Sequence, residues 1–352
     1  MRVLTVLGAR PQFIKAAPVS RVLRRSHQEF LLHTGQHYDD VMSDLFFRQL
    51  AIPVPDRNLD VGSGPHGAQT GAMLGGIEEV AMDFKPDWLL VYGDTNSTLA
   101  GALVGAKMHI PVAHVEAGLR SFDRSMPEEI NRVVADHVSS LLLCPTDRAV
   151  ANLAREGVEQ GVVQAGDVMY DAFRQNAEVA RQSCRILDDL GLQAAGYQLL
   201  TVHRAANVDR RDHLAAILRG VADSGKQVVF PVHPRTRAAL DAAGIEAGAN
   251  VCMIDPVGYL EMLILEENAE AIVTDSGGVQ KEAYFAGRPC ITLREATEWT
   301  ETVEAGWNML VATDPAAIAG AMRTFRPTFE RPSLYGDGHA SERVVEALES
   351  RG

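Results

Sequence analysis

Short apolar runs alternate with polar-faced, helix-like segments along nearly the whole chain. Ten of these runs are predicted as β-strands: Val3–Leu7, Glu29–His33, Trp88–Tyr92, Val112–Val115, Leu141–Cys144, Gln198–Val202, Val228–Val232, Val251–Ile254, Ala271–Thr274 and Cys290–Thr292. Helical patterns, and not tight hairpin turns, separate the runs, so the chain is predicted to form parallel βαβ units. The expected fold class is therefore α/β.

The chain is expected to fold as two doubly wound, Rossmann-like domains that face a central cleft. Its 352 residues exceed what a single core usually holds. A second series of strands begins near Gln198, after a polar helical stretch. The predicted N-terminal domain is 1–167 and the predicted C-terminal domain is 168–335. Residues 336–352 are predicted to form a last helix, for which packing back on the N-terminal domain is one option.

The composition limits the classes of partner. A formal net charge of −13 argues against non-specific nucleic-acid binding, which needs a basic surface. No apolar run approaches the roughly 18 residues of a membrane helix, and the start MRVLTVLGARPQF lacks the regions of a signal peptide. The four scattered cysteines include no CxxC pair, so neither a structural metal nor a disulfide is expected. We expect a cytoplasmic protein without nucleic-acid or membrane partners.

Three carboxylates stand close together in the sequence: Asp94, Glu116 and Glu128. The first two directly follow predicted strands, so they are expected at the carboxyl edge of a parallel sheet, where open α/β sheets bind ligands. Acids gathered at that edge indicate chemistry. Glu129 is expected to face solvent if Glu128 faces the site, because neighbours on a helix point about 100° apart.

Two further strand ends are candidates for binding a diphosphate. The first strand runs into a turn and a helix opened by Pro11, where Arg10 and Lys15 stand beside the helix N-terminus. The alternative is a plain turn with two solvated cations. After 271–274, Ser276 is predicted to cap a helix.

The two glycines that follow Ser276, Gly277 and Gly278, would let backbone N–H groups approach a phosphate. Glu282, about one turn into the predicted helix, is placed to accept hydrogen bonds from ribose hydroxyls. The alternative is a capped helix that needs glycine only for its turn.

Two histidines also follow predicted strands. His203 is expected to face the cleft, where an imidazole can donate to a phosphate or move a proton near neutral pH. His233 holds the equivalent position one strand further on. A histidine with a purely structural role is the alternative at both positions.

Eight motifs, taken in order, resemble the non-hydrolysing UDP-N-acetylglucosamine 2-epimerases, which have the two-domain GT-B fold. They are GARPQFIK, HTGQHYD, VYGDTNST, HVEAGLRS, PEEINR, TVHRA, PVHPRT and TDSGGVQKEA, and they span nearly the whole chain. The resemblance implies interconversion of UDP-GlcNAc and UDP-ManNAc without a metal or nicotinamide cofactor. In that reaction UDP is eliminated across C1–C2 to give 2-acetamidoglucal and then adds back, with re-protonation on the opposite face.

The resemblance also assigns roles to residues. It gives the acid/base work to Asp94, Glu116 and Glu128, with His203 assisting at the diphosphate, and leaves open which acid takes the C2 proton. The residues assigned to substrate binding are Arg10, Lys15, His233, Ser276, Gly277, Gly278, Glu282 and Arg294. A UDP-sugar partner and a homodimer are implied by the resemblance alone.

The chain departs from the family pattern at several positions. Ala206 replaces a glutamate that is frequent in the HRxEN segment, Trp299 replaces a cation of the TERPE segment, and Met262 stands where an aromatic side chain usually meets the uracil. Two segments that bind an activating second UDP-GlcNAc in many bacterial members are incomplete here, at 36–39 and 68–70. We therefore expect weak or absent activation.

Several alternatives stay open from the sequence. The nearest one is the same C2 epimerisation of UDP-2,3-diacetamido-2,3-dideoxyglucuronate, which the Trp299 variant favours. A retaining GT-B glycosyltransferase is a different class, and the paired acids Glu116 and Glu128 argue against it. A hydrolysing epimerase and a non-catalytic nucleotide-sugar sensor are the remaining options.

Overall fold

The computed structural model describes residues 1–36 and 52–351. Packing divides the chain into two compact units, of which unit 1 is Met1–Arg174 with Ser333–Gly352 and unit 2 is Gln175–Pro332. The sequence-based boundary between 167 and 168 lies at the start of the helix Val168–Ser183, whereas the packing boundary lies inside that helix.

The described part of the chain forms helices and strands in alternation. The strands are β1 Arg2–Leu7, β2 Gln28–His33, β3 Arg57–Asn58, β4 Trp88–Tyr92, β5 Val112–Val115, β6 Leu141–Cys144, β7 Val162–Gln164, β8 Gln198–Thr201, β9 Val228–Pro231, β10 Val251–Ile254, β11 Ile272–Thr274, β12 Cys290–Thr292 and β13 Asn308–Leu310. The helices are α1 Arg10–Leu23, α2 His66–Phe84, α3 Asn96–Met108, α4 Pro127–Val138, α5 Asp147–Arg155, α6 Val168–Ser183, α7 Ile186–Asp189, α8 Ala205–Val208, α9 Arg211–Asp223, α10 Pro234–Ala243, α11 Tyr259–Asn268, α12 Gly277–Phe285, α13 Thr300–Glu304, α14 Pro315–Thr324 and α15 Ala340–Glu349.

Each unit is built on one parallel sheet. Within the described residues, unit 1 has seven strands in the order β3-β2-β1-β4-β5-β6-β7, and unit 2 has six in the order β10-β9-β8-β11-β12-β13. All recorded strand pairs are parallel. The central strands are buried on both faces, which explains their continuous apolar sequence. The predicted parallel α/β architecture is confirmed.

All ten predicted strands are present, with boundaries that differ by at most a residue at an end. The three strands that the pattern did not predict are β3, β7 and β13, which lie at sheet edges. They have two or three residues each, and their side chains are mostly half-buried or exposed. A strand of this kind carries too few apolar residues to be recognised by alternation.

The C-terminal helix α15 belongs to unit 1, where it packs against α1. The buried Asp171 accepts hydrogen bonds from the Ala340 and Ser341 amides at 3.1 and 2.7 Å, so it fixes the start of α15. At the other end, His27 Nε2 lies 2.7 Å from Glu349 Oε1. Among the described residues, no helix is both long and apolar enough to cross a membrane.

Candidate active site

Both sheets reverse their strand order at one point, and the predicted site residues follow the strands at those points. In unit 1 the reversal lies between β1 and β4, and in unit 2 it lies between β8 and β11. Loops that leave neighbouring strands in opposite directions open a crevice at the carboxyl edge of the sheet. Each unit is therefore described from its own reversal point.

In unit 1 a buried glutamine fixes the loop after β1. The Gln12 side-chain oxygen accepts hydrogen bonds from the Gly8 and Ala9 amides at 2.7 and 3.1 Å, and its amide donates to the Tyr92 carbonyl at 2.7 Å. The loop is thereby tied to the end of β4, and Arg10 becomes the first residue of α1. Sequence reasoning missed Gln12, although a glutamine in a first helical turn can reach back to loop amides.

Lys15 of α1 forms an ion pair with Glu116, which directly follows β5, and both side chains are largely buried. Burial lowers the pKa of Lys15, but the charges of Glu116 and Asp94 outweigh it, so that pKa is raised and the amine stays charged. The Glu116 backbone has a φ of 71°, a left-handed conformation that is costly for a residue with a side chain and is characteristic of functional sites.

Gly93 leaves the space that this pair needs. An added Cβ there would lie 3.3 Å from Glu116 Oε2 and 3.6 Å from Lys15 Nζ, and the Gly93 φ of 62° disfavours any side chain. The glycine therefore allows the loops after β4 and β5 to come together around the lysine.

Asp94 is held by two residues of α4. Arg132 forms an ion pair with its carboxylate, and Asn131 donates to its backbone oxygen at 2.9 Å. The Asp94 side chain remains one third exposed at 33%. Sequence reasoning missed Arg132. The observation that could have identified it is its position four residues after Glu128, which places both residues on the same helical face.

The prediction that Glu129 faces solvent is wrong. Glu129 is 3% exposed, and its carboxylate accepts hydrogen bonds from the Ser121 and Phe122 amides at 2.9 and 3.0 Å and from Arg132 at 3.0 Å. Glu129 accepts hydrogen bonds from the loop that leads into α4. Its side chain turns inward because these loop amides need an acceptor. Glu128 is exposed, and no described residue forms a hydrogen bond or ion pair with it.

A fully buried network lies beneath the unit 1 carboxylates. His114 Nε2 is 2.7 Å from the Gly93 carbonyl oxygen and its Nδ1 is 2.7 Å from Asp136 Oδ1. The other Asp136 oxygen accepts from the Gly118 amide at 3.1 Å and from Arg120 at 2.6 Å. Because Gly93 precedes Asp94 and Gly118 closely follows Glu116, this network positions both acid-bearing loops.

The charges of this network support one another. Burial lowers the pKa of His114, but the hydrogen bond and charge of Asp136 outweigh it and raise that pKa. Burial raises the pKa of Asp136, but the hydrogen bond and charge of His114 and those of Arg120 outweigh it and hold that pKa below its ordinary value. Asp136 thus stabilises the fold above pH 3.8, and this contribution is lost as the pH falls through its folded pKa. The His114 contribution is complete below pH 6.5 and is lost as the pH rises through its folded pKa.

In unit 2 a buried aspartate organises the strand ends. Asp275 is 0% exposed and accepts hydrogen bonds from the His203 and Arg204 amides at 3.1 and 3.0 Å and from the Asn207 side chain at 3.1 Å. Asn207 also donates to the Leu293 carbonyl at 3.2 Å. The ends of β8, β11 and β12 are therefore joined, a role for Asp275 that sequence reasoning missed.

The structure brings the two predicted histidines together, with ring centroids 6.0 Å apart. Burial, with His233 and Arg204 nearby, lowers the pKa of His203 despite the opposing charge of Asp275. The ring is therefore neutral at pH 7, so it has one N–H to donate and one nitrogen to accept. His233 caps α10 by accepting from the Arg235 amide at 3.2 Å.

The predicted cap at Ser276 is confirmed. Its hydroxyl accepts from the Val279 amide at 3.4 Å at the start of α12. The Gly277 and Gly278 amides have no acceptor among the described residues, as expected for a first helical turn. These free donors and the helix dipole favour an anion at this point.

Glu282 lies one turn further along α12 and is 9% exposed. Burial raises its pKa to about 7, although Tyr259 and Lys281 oppose this. Glu266 on α11 is fully buried, and both of its carboxylate oxygens lack a hydrogen-bond partner among the described residues. Burial and the neighbouring Glu282 raise the pKa of Glu266 well above its ordinary value, so it is a neutral acid.

The loop after β12 carries the last predicted contact. Arg294 donates to Glu298 at 2.9 Å, and Arg204 lies 3.7 Å from the same carboxylate. Trp299, the residue that departs from the family pattern, lies over Lys281 with the amine 4.4 Å from the ring centroid. Ala206 lines a cavity of about 420 Å³ beside Arg204.

The prediction of weak or absent activation rests on two incomplete segments, and residues 37–39 of the first segment lie outside the described residues. Gln36 is buried and accepts from the Ser97 amide and hydroxyl at 3.0 and 2.7 Å. Gln69 donates to the Gln36 carbonyl at 3.3 Å. Within the described residues no group of three His, Cys, Asp or Glu side chains is placed to hold a metal ion.

Sequence comparison shows extensive similarity to known proteins. A family model described as UDP-N-acetylglucosamine 2-epimerase matches residues 21–349. A UDP-N-acetylglucosamine 2-epimerase homolog of Methanococcus maripaludis is 51% identical over 354 residues, which cover 99% of each chain. A UDP-2,3-diacetamido-2,3-dideoxy-D-glucuronate 2-epimerase of Pseudomonas aeruginosa is 47% identical over 359 residues, again with 99% of each chain covered.

The fold is similar to that of a solved enzyme. The UDP-GlcNAc 2-epimerase of Methanocaldococcus jannaschii, crystallised with UDP-GlcNAc and UDP, has a TM-score of 0.85 and 44% sequence identity. The match covers 99% of this chain and 100% of that one. The predicted GT-B fold class is thereby confirmed.

Asp136→Asn is expected to lower the free energy of unfolding by about 3–5 kcal/mol near pH 6, because it leaves the buried His114 and Arg120 without their carboxylate. Chemical denaturation measures the change, with Glu159→Gln, an exposed acid of the same unit, as the matched control. A loss below about 1 kcal/mol would show that the network does not hold the two loops.

Glu282→Gln is expected to alter how stability depends on pH. With a folded pKa of about 7 against an ordinary 4.5, the native Glu282 stabilises below pH 4.5, and this contribution is lost as the pH rises through 7. Between pH 5 and 8 the stability of the native chain should fall relative to the variant by about 2–3 kcal/mol. Denaturation at both pH values measures this, with Glu246→Gln as control, and parallel curves would contradict a buried, protonated Glu282.

Proposed function

This chain belongs to the UDP-N-acetylglucosamine 2-epimerase family, and we propose that it interconverts UDP-GlcNAc and UDP-ManNAc by elimination and re-addition of UDP. The observation that carries the proposal is the unit 1 cluster of Asp94 and Glu116 at adjacent strand ends, each paired with a cation. Several acids around one sugar suit proton removal and return at a single carbon.

The proton chemistry is assigned to unit 1. A carboxylate takes the proton from C2, the C1–O bond to UDP breaks, and a C1=C2 double bond forms in 2-acetamidoglucal. On return, an acid delivers a proton to the opposite face of C2 and a diphosphate oxygen re-forms the bond to C1. Asp94, Glu116 and Glu128 form the acid/base set. Glu128 shares a helical face with Arg132, the residue that holds Asp94.

The leaving group is assigned mainly to unit 2. As C1–O breaks, negative charge develops on the diphosphate, and donors already aimed at that position stabilise it without reorganisation. The proposed donors are the helix start at Ser276, Gly277 and Gly278, the neutral His203, and the nearby His233 and Arg294. Arg10 and Lys15 of unit 1 are proposed as further cations. Glu282 is proposed to accept from the ribose and Met262 to contact the uracil.

A second substrate is supported by one observation. The Pseudomonas aeruginosa relative, 47% identical over nearly the full length, is named for UDP-2,3-diacetamido-2,3-dideoxy-D-glucuronate. The same epimerisation of that sugar is our second candidate function, since the C2 chemistry and the UDP contacts would be unchanged. The cofactor-independent reaction, the cytoplasmic location and the homodimer implied by the resemblance remain parts of the proposal.

The purified protein is expected to convert UDP-GlcNAc in D₂O, without added cofactor, into UDP-ManNAc that carries deuterium at C2. Elimination exposes C2 to an acid in exchange with solvent, so proton NMR should show the C2 signal disappear as the product forms. Asp94→Asn is the inactive control. Turnover with protium retained at C2 would contradict elimination, and turnover of the diacetamidoglucuronate alone would establish the second candidate.

Glu128→Gln and Glu129→Gln form a matched pair of adjacent substitutions. Glu128→Gln should lower kcat by at least about 100-fold because it removes an acid/base group, with an unchanged thermal midpoint because the side chain is exposed. Glu129→Gln should cost about 1–3 kcal/mol of stability, because its buried carboxylate holds loop amides and Arg132. Wild-type kcat in Glu128→Gln would remove Glu128 from the acid/base set.

A further inference from the structure

Glu298 places a carboxylate at the start of α12. An added Cβ on Gly277 would overlap its Oε1 atom and would lie 3.6 Å from Trp299 Nε1. Its Oε2 atom accepts from Arg294 at 2.9 Å, and Oε1 lies 3.7 Å from Arg204. A negative group therefore already stands where two guanidinium groups and a helix N-terminus attract one.

The Glu298 carboxylate pairs with only some of the groups that attract a negative charge at this position. It forms ion pairs with Arg294 and Arg204. Among the described residues, it forms no hydrogen bond with the Gly277 or Gly278 amide. Its side chain is 36% exposed. Ion pairs with this degree of exposure are weak, so a ligand with more charge and better geometry can replace the carboxylate.

The loop does not need Glu298 for its conformation. The Thr297 hydroxyl donates to the buried Gln280 side chain at 2.6 Å and accepts from the Trp299 amide at 3.2 Å. Asn308 also donates to Gln280 at 3.2 Å. The backbone on either side of Glu298 is thus fixed by its neighbours, and its side chain can turn away without unfolding the loop.

We propose that Glu298 is an internal anion that competes with the nucleotide diphosphate for Arg204 and Arg294 and must be displaced when the nucleotide binds. The proposal rests on the assignment of the diphosphate to this helix start. When the nucleotide binds, its diphosphate replaces the Glu298 carboxylate. The diphosphate has the higher charge and can then pair with both arginines. Glu298 therefore weakens the binding of UDP and of the UDP-sugar, and it speeds the release of either.

The test compares UDP and uridine binding by calorimetry in the native chain, in Glu298→Gln and in Glu295→Gln. Uridine lacks the diphosphate, and Glu295 is an exposed acid on the same loop. Glu298→Gln should bind UDP about 3- to 10-fold more tightly, the range expected for one or two exposed ion pairs. Its uridine affinity and the behaviour of Glu295→Gln should be unchanged, and higher salt should narrow the difference for UDP.

The outcomes separate this proposal from the proposed function. Equal or weaker UDP binding by Glu298→Gln, with native uridine affinity, would overturn the competitor role and leave the nucleotide site intact. Equal tightening for both ligands would also overturn it, because the effect would not involve the diphosphate. A native chain that binds neither UDP nor uridine would contradict the proposed function itself. Glu298→Ser provides a second variant if the glutamine variant fails to fold.

Discussion

A buried carboxylate that gathers loop donors at the carboxyl edge of a parallel sheet is the constraint on which each unit depends. Asp136 holds His114, Arg120 and the Gly118 amide in unit 1. Asp275 holds two amides and the Asn207 side chain in unit 2. Loops at such edges have few backbone partners of their own, so a buried carboxylate acceptor replaces the missing strand or helix hydrogen bonds. Two of the proposed acids, Asp94 and Glu128, can then stay at least partly exposed.

This division of labour explains which site features were predictable from the sequence. Asp94, Glu116 and His203 follow apolar strands of four or five residues, and Ser276 and its glycines follow one of three, so strand position alone placed them at a ligand-binding edge. Glu129 and Asp275 also follow or flank these elements, yet they are buried. Whether an acid turns inward depends on the loop amides that fold back onto it. These amides lie 7 and 8 positions from Glu129 and 71 and 72 positions from Asp275, and hydrophobic periodicity does not record them.

Arg132 shows the same limit from the cationic side. Its position on α4 could be predicted, but its partner Asp94 lies in the loop after β4, 38 positions away in the chain. Three of the four edge strands of the described sheets, β3, β7 and β13, escaped prediction for a different reason, because they bury too little apolar surface to leave a periodic signal. The parallel βαβ architecture was nevertheless recovered, because the central strands and the helices between them carry its pattern.

In both units, the charged groups of the proposed site are balanced by neighbours of opposite charge. The chain carries a net charge of −13, yet its proposed reaction needs cations beside a diphosphate and ionised carboxylates beside a sugar. In unit 1 the proposed acids Asp94 and Glu116 are each paired with a cation, so their negative charge is balanced locally. In unit 2 one carboxylate serves two arginines, so their charge is masked until a stronger anion arrives. An acidic protein can in this way keep two arginines at the proposed nucleotide site without leaving them unpaired, because the carboxylate that pairs with them is exposed and easily exchanged.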